Sequence, residues 1–177
     1  MESMFRRIWL RVTSEAICAL FFIPGASAWC HKAHPYRYSV VDMPVSLAVG
    51  IVRTPEFSPR RSSWYWIMIQ VEKPLPFRQM QCMMGVTSGG LDTKDCSSDD
   101  PLLRADWTVW SEGKIVSSGS STTKADGAFT EENIFKFLGK FPAEVGKRYI
   151  LEMKLTKDGT PLNVANPHLI VTRVGDE

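Results

Sequence analysis

The feature that most constrains this chain is its punctuation. Its 12 Gly and 11 Pro recur so often that the apolar runs between them stay short. A helix needs roughly 10–12 uninterrupted residues to bury a stripe, whereas a strand needs only about 4–8. Short β-branched and aromatic runs between turn residues are the mark of an all-β domain. Residues 36–41 and 45–52 are the first candidate strands, and 54–63, with Pro55 and Pro59, is a loop. Residues 64–72 (WYWIMIQVE) are apolar on both faces, which places them in the middle of a sheet. Residues 79–84 read as a short helix crossing between sheets, and 85–104 as the longest irregular stretch. Residues 107–110 and 114–120 flank Glu112-Gly113, a two-residue hairpin signal. Residues 117–127 read as polar and exposed, and 133–141, 149–156 and 168–174 complete the strands. In the segment from Tyr149, apolar Leu151, Met153 and Leu155 alternate with Glu152, Lys154 and Thr156. Seven to eight strands over residues 36–177 predict an all-β, two-sheet sandwich of the immunoglobulin-like or fibronectin-like kind, with one short helix.

The first residues read as an address. Arg6, Arg7 and Arg11 make a basic start, residues 16–23 (AICALFFI) an apolar run, and Ala26-Ser27-Ala28 a signal-peptidase site after Pro24-Gly25. The run is far shorter than the roughly 18 residues that span a bilayer, so no transmembrane helix is expected. Arg6-Arg7 suits an ordinary basic region and also resembles a twin-arginine signal. A lipid-attachment site needs a small residue before the cysteine, and Trp29 precedes Cys30. The expected organisation is a cleaved signal at 1–28, a flexible leader at 29–35 and a domain at 36–177, located in the periplasm.

With 21 Lys+Arg against 19 Asp+Glu, the chain has no field with which to neutralise nucleic-acid phosphates or to steer a highly charged partner. Cys18 leaves with the signal, and an oxidising compartment favours a disulfide among the other cysteines. Spacing favours Cys82–Cys96, which closes a Gly/Asp/Ser loop, and leaves Cys30 over as a free thiol, a rival partner for Cys82 or Cys96, or a link to another chain. Closing such a loop is worth roughly 3 kcal/mol on a chain-entropy estimate.

Gly146, three residues before Tyr149, matches the tyrosine corner of immunoglobulin-like sandwiches, in which the phenol hydroxyl bonds to backbone at the crossing between sheets. The motifs Trp107-x-Val-Trp110, Gly113, Gly119, Leu138-Gly139-x-Phe141, Gly146-x-x-Tyr149 and Asn166-Pro167-x-Leu-Ile-Val171 extend the likeness. Over residues 105–174 the chain resembles small exported bacterial sandwich domains of the uncharacterised envelope type, some of them similar to toxin-immunity proteins. The matching positions are turn glycines and core residues. The resemblance therefore implies a fold and a class of exported binding protein, and it brings no catalytic residue.

Candidate chemistry is sparse. Nucleophilic catalysis needs a base beside Ser, Cys or Thr. The only histidines are His31, His34 and His168, and there is no Gly-x-Ser-x-Gly elbow, so no enzyme activity is expected. No phosphate-cradling glycine loop occurs, and no cofactor is expected. Cys30, His31 and His34 have the donor types for copper or zinc, but in a leader that offers nothing to orient them. Asp92, Asp95, Asp99 and Asp100 lie in the loop pinned by Cys82 and Cys96, a surface suited to recognition. Trp66 and Trp110 join them as candidate aromatic anchors, because strand alternation leaves some of the tryptophans outside. The expected function is an exported, non-catalytic inhibitor of the immunity type that binds a secreted toxin or effector protein. The alternatives are an envelope carbohydrate-binding module using exposed Trp and Tyr, and copper or zinc binding by the leader.

Overall fold

The structure, a computed structural model, describes residues 39–87, 96, 100–121 and 125–174. They form the two-sheet antiparallel sandwich expected from the sequence. Strands β1 (Ser39–Pro44), β9 (His168–Arg173), β3 (Ser63–Glu72), β7 (Asn133–Ala143) and β6 (Gly127–Phe129) lie side by side in one sheet. Strands β2 (Gly50–Arg53), β8 (Ile150–Leu155), β4 (Ala105–Ser111) and β5 (Lys114–Ser121) make the other. As in the immunoglobulin fold, the strands equivalent to B, E and D (β3, β7, β6) share one sheet and those equivalent to F and C (β8, β4) the other. The edges are filled differently. The last strand, β9, sits beside β3, and β2 sits beside β8.

β3 holds the centre of its sheet, as its two apolar faces require. Tyr65, Ile67, Ile69 and Val71 enter the inter-sheet core, while Met68 joins Phe135 and Ile170 in a smaller apolar cluster on the outer face. The helix α1 (Phe77–Met84) begins after Pro76 and stops at Gly85, whose φ of 72° is the left-handed cap that glycine adopts freely. Met80 and Met84 pack into the core, and Cys82 on this helix is disulfide-bonded to Cys96 with Cα atoms 5.5 Å apart. The β4–β5 hairpin turns at Glu112 (φ 51°) and Gly113 (φ 75°), the positive-φ pair of a tight two-residue turn.

The crossing from β7 to β8 carries the corner the sequence announced. The Glu144 N–H donates to Tyr149 Oη at 2.9 Å, and Gly146 takes a φ of 86°. The Tyr149 ring packs against Phe57 and Phe141, with centroids 6.1 and 5.8 Å away. Three elements differ from expectation, each for a local reason. The segment 45–49 is a strap because its backbone groups bond elsewhere: Leu47 N–H donates to Asn163 Oδ1 (2.9 Å) and Val45 N–H to Pro167 O (2.9 Å). Asn163 lies in a short 3₁₀ segment, Thr160–Ala165, which buries Leu162 and Ala165. β6 is only three residues long, and a Cβ at Gly127 would lie 2.2 Å from the Phe135 carbonyl oxygen, so a glycine is needed there.

The two sheets are tied at Trp107. Its side chain points inward from β4, and its indole N–H donates to the Leu138 carbonyl at 3.0 Å in the opposite sheet. Leu138 is the extra residue of a bulge, since Ile67 pairs with Gly139 while Met68 pairs with Phe137. A Cβ on Gly139 would stand 2.3 Å from the Trp107 ring, and one on Gly119 2.5 Å. Gly139→Ala should therefore cost about 1–3 kcal/mol by overpacking. Trp107→Phe should cost a similar ~1–3 kcal/mol by orphaning a buried carbonyl. Urea unfolding of a chain spanning residues 36–177 measures both, and an unchanged midpoint for Gly139→Ala would mean that the contact does not hold the sheets.

Candidate partner-binding site

The outer face of the four-stranded sheet is set by alternation. Its outward positions run in rows across the strands: Asp106, Lys154 and Ile51, then Thr108, Glu152 and Arg53, then Trp110 and Ile150. Two rows are largely polar and the third is apolar. At that third row the face sinks into a cleft of about 190 Å³, walled by Trp110, Ser111 and Ile150, with Arg53, Glu56, Glu112 and Arg148 around it. The β4–β5 turn forms one end of it, so the turn that positions Glu112 also fixes the rim.

The cleft has an aromatic wall, and two polar atoms of its lining residues lie beneath the surface. Trp110 Nε1 and Ser111 Oγ are buried without a hydrogen-bond partner. Arg148 is paired with Glu56 at 3.0 Å. Arg53 stands opposite Glu152 in register yet makes no ion pair with any described residue. Beside the rim, Lys147 binds Glu144 at 2.9 Å, and this hydrogen bond holds its pKa above the ordinary lysine value, with a smaller contribution from Glu112.

Of the residues proposed from sequence, the two tryptophans lie on different sheets. Trp110 is half-buried in this cleft, whereas Trp66 projects from β3 on the outer face of the other sheet. There it stacks on Phe137, with centroids 4.9 Å apart and planes at 19°. Trp64, 48% exposed, lies on the same face, and the Lys140 ammonium stands 5.3 Å from its ring and 5.5 Å from that of Trp66. Asp92, Asp95 and Asp99 lie outside the described residues, as do Cys30, His31 and His34. Asp100 serves as a clamp. Its carboxylate binds Arg104 and, at 2.7 Å, Lys157, joining the approach to β4 with the link that follows β8. The Lys157 hydrogen bond pulls the Asp100 pKa below the ordinary carboxylate range, with both cations assisting.

Sequence reasoning missed Lys136. It lies on β7 between Ile134 and Leu138, facing inward, and is fully buried. A lysine on the apolar side of a strand was the available signal. Its ammonium donates to Leu103 O at 2.8 Å. Burial pushes its pKa down to about 8, and the Arg104 guanidinium adds to the effect. Among the described residues no three His, Cys, Asp or Glu side chains gather as a metal would require. No described helix is long and apolar enough to cross a membrane.

No protein-family model matches the chain, and no curated protein sequence does. Among solved structures it is similar to the crystal structure of GEBA250068378 from Sulfurospirillum deleyianum, with a TM-score of 0.58 and 12% sequence identity. The match covers 77% of this chain and 98% of that one. The likeness is one of fold.

Lys136 generates a pH prediction. Between about pH 8 and 10.5 the unfolded lysine holds a proton that the folded one has lost, so stability rises with pH across that window. The rise attributable to this group is at most about 3 kcal/mol. Denaturant titrations at pH 7.5 to 10.5 should show it in the wild type and not in Lys136→Met; parallel curves for the two proteins would refute it.

Proposed function

We propose that the domain is an exported, non-catalytic protein-binding module, and specifically an immunity-type inhibitor of a toxin or effector in the periplasm. The observation that carries this reading is the Trp110 cleft. A half-buried tryptophan and an arginine that makes no ion pair with any described residue line one small concavity on the sheet. Interface hot spots are built from Trp and Arg in such pockets, surrounded by contacts that exclude water. The Cys82–Cys96 disulfide is consistent with folding outside the cytoplasm.

A second reading, an envelope carbohydrate-binding module, is favoured by one observation. Trp64 and Trp66 share the outer face of the five-stranded sheet with Phe137 and Lys140, and aromatic faces of this kind stack on sugar rings.

Affinity capture from the native host separates the two. The mature domain should retain one dominant protein in stoichiometric amount, with Trp110→Ala and Arg53→Glu each weakening retention by about 30-fold or more, a loss of at least ~2 kcal/mol. Trp64→Ala should leave it intact. Retention that survives both cleft substitutions overturns the cleft assignment. A glycan panel whose binding depends on Trp64 would shift the reading to the second face.

A further inference from the structure

We infer that β5 is a docking edge for a second copy of this chain, so that two domains join edge to edge through their four-stranded sheets. The four sheet edges of the sandwich are not alike. β6 is three residues long, β2 is four, and β1 ends in Pro44. Short strands and prolines are the usual means of blunting an edge. β5 runs for eight residues, Lys114–Ser121, with no proline. Its residues up to Ser120 are exposed or half-exposed, and no described strand pairs with its outer side. Every other backbone N–H and C=O along it therefore points away from β4 toward solvent.

The charge pattern selects the occupant. Inward- or outward-pointing charges on an edge keep identical copies apart. β5 has one charge, Lys114, at its turn end, and the rest is Ile115, Val116, serines and Gly119. An antiparallel copy about a two-fold axis near Ser118 sets the two Lys114 at opposite ends of the joined strands. No like charges then face each other within the pairing. The strand matches its copy in length by construction, and the contact is self-complementary and closed, as a two-fold interface requires. Ile115 and Val116, 57% and 42% exposed, become the apolar part of the contact. The alternative of β5 against β2 would be an open, head-to-tail contact with a partner of only four residues. A single strand pairing is a small interface, so an affinity of about 10 to 200 µM is expected. The joined sheet would carry both Trp110 clefts on one continuous face, yet the inference does not depend on what those clefts bind.

Sedimentation equilibrium of the mature domain over about 5 to 500 µM, spanning the expected affinity range, tests it. The expected result is a mass rising toward twice the monomer. Ser118→Lys with Ser120→Lys places two cations on the exposed face of the edge strand and should hold the mass at the monomer value, with an unchanged melting curve. A monomer throughout the range overturns the inference. So does a dimer that persists in the doubly substituted protein, since it would use another surface. Protein capture by the cleft is scored separately, and a monomer that still captures its partner would refute only the edge pairing.

Discussion

The sandwich depends on one side chain that has to be accommodated from three directions. Trp107 is the largest side chain on the inner face of β4, and its indole has an N–H that cannot be left dry at low cost. Two glycines make room for it, Gly119 on the neighbouring strand and Gly139 on the opposite sheet. A bulge at Leu138 supplies the acceptor, because the extra residue of a bulge is released from regular ladder pairing. Packing and hydrogen bonding thus fix the same point. Among the described residues no cysteine lies between the sheets, where many immunoglobulin domains place a disulfide beside the equivalent tryptophan. The disulfide of this chain works at the periphery instead, tying α1 to the long loop.

That arrangement separates stability from surface. The inter-sheet core takes the inward residues of both sheets, and the two outer faces then diverge in character. The face of the four-stranded sheet is polar in its middle rows, as a solvated antiparallel sheet is expected to be. Its one apolar row ends at the β4–β5 turn, where Trp110 meets Ile150. The face of the five-stranded sheet has a second apolar cluster and a stacked Trp66–Phe137 pair. Sequence alone groups Trp66 and Trp110 because both are strand tryptophans. Only the assignment of β3 and β4 to different sheets shows that they cannot touch one partner patch together.

What was legible in the sequence follows from local physics. The Glu112-Gly113 turn, the Gly146–Tyr149 corner and the central placement of β3 are each decided within about ten residues, and each stands where expected. The Cys82–Cys96 pair was legible from spacing and compartment. What was not legible depends on distant partners. The strap at 45–49 has strand composition, but its backbone is satisfied by Asn163 and Pro167, more than a hundred residues away. β6 is too short to carry a period. Lys136 shares its side of the strand with Ile134 and Leu138, but only the placement of β7 in the sandwich shows that this side faces inward, beneath Leu103.

The long loop before β4 shows how a rigid frame can present a segment. Its two ends are fixed by independent means. On the near side Val86 bridges to Ala125, and Thr87 N–H donates to Ala125 O at 3.1 Å. On the far side the disulfide holds Cys96, Asp100 is clamped by Arg104 and Lys157, and Leu102 N–H donates to Met83 O at 2.8 Å. The Lys136 ammonium then caps Leu103 O from within the sandwich. A buried cation costs stability, and its use here is to satisfy a carbonyl where the chain turns from loop into β4. Asp100 is therefore part of the anchor, through its pairs with Arg104 and Lys157.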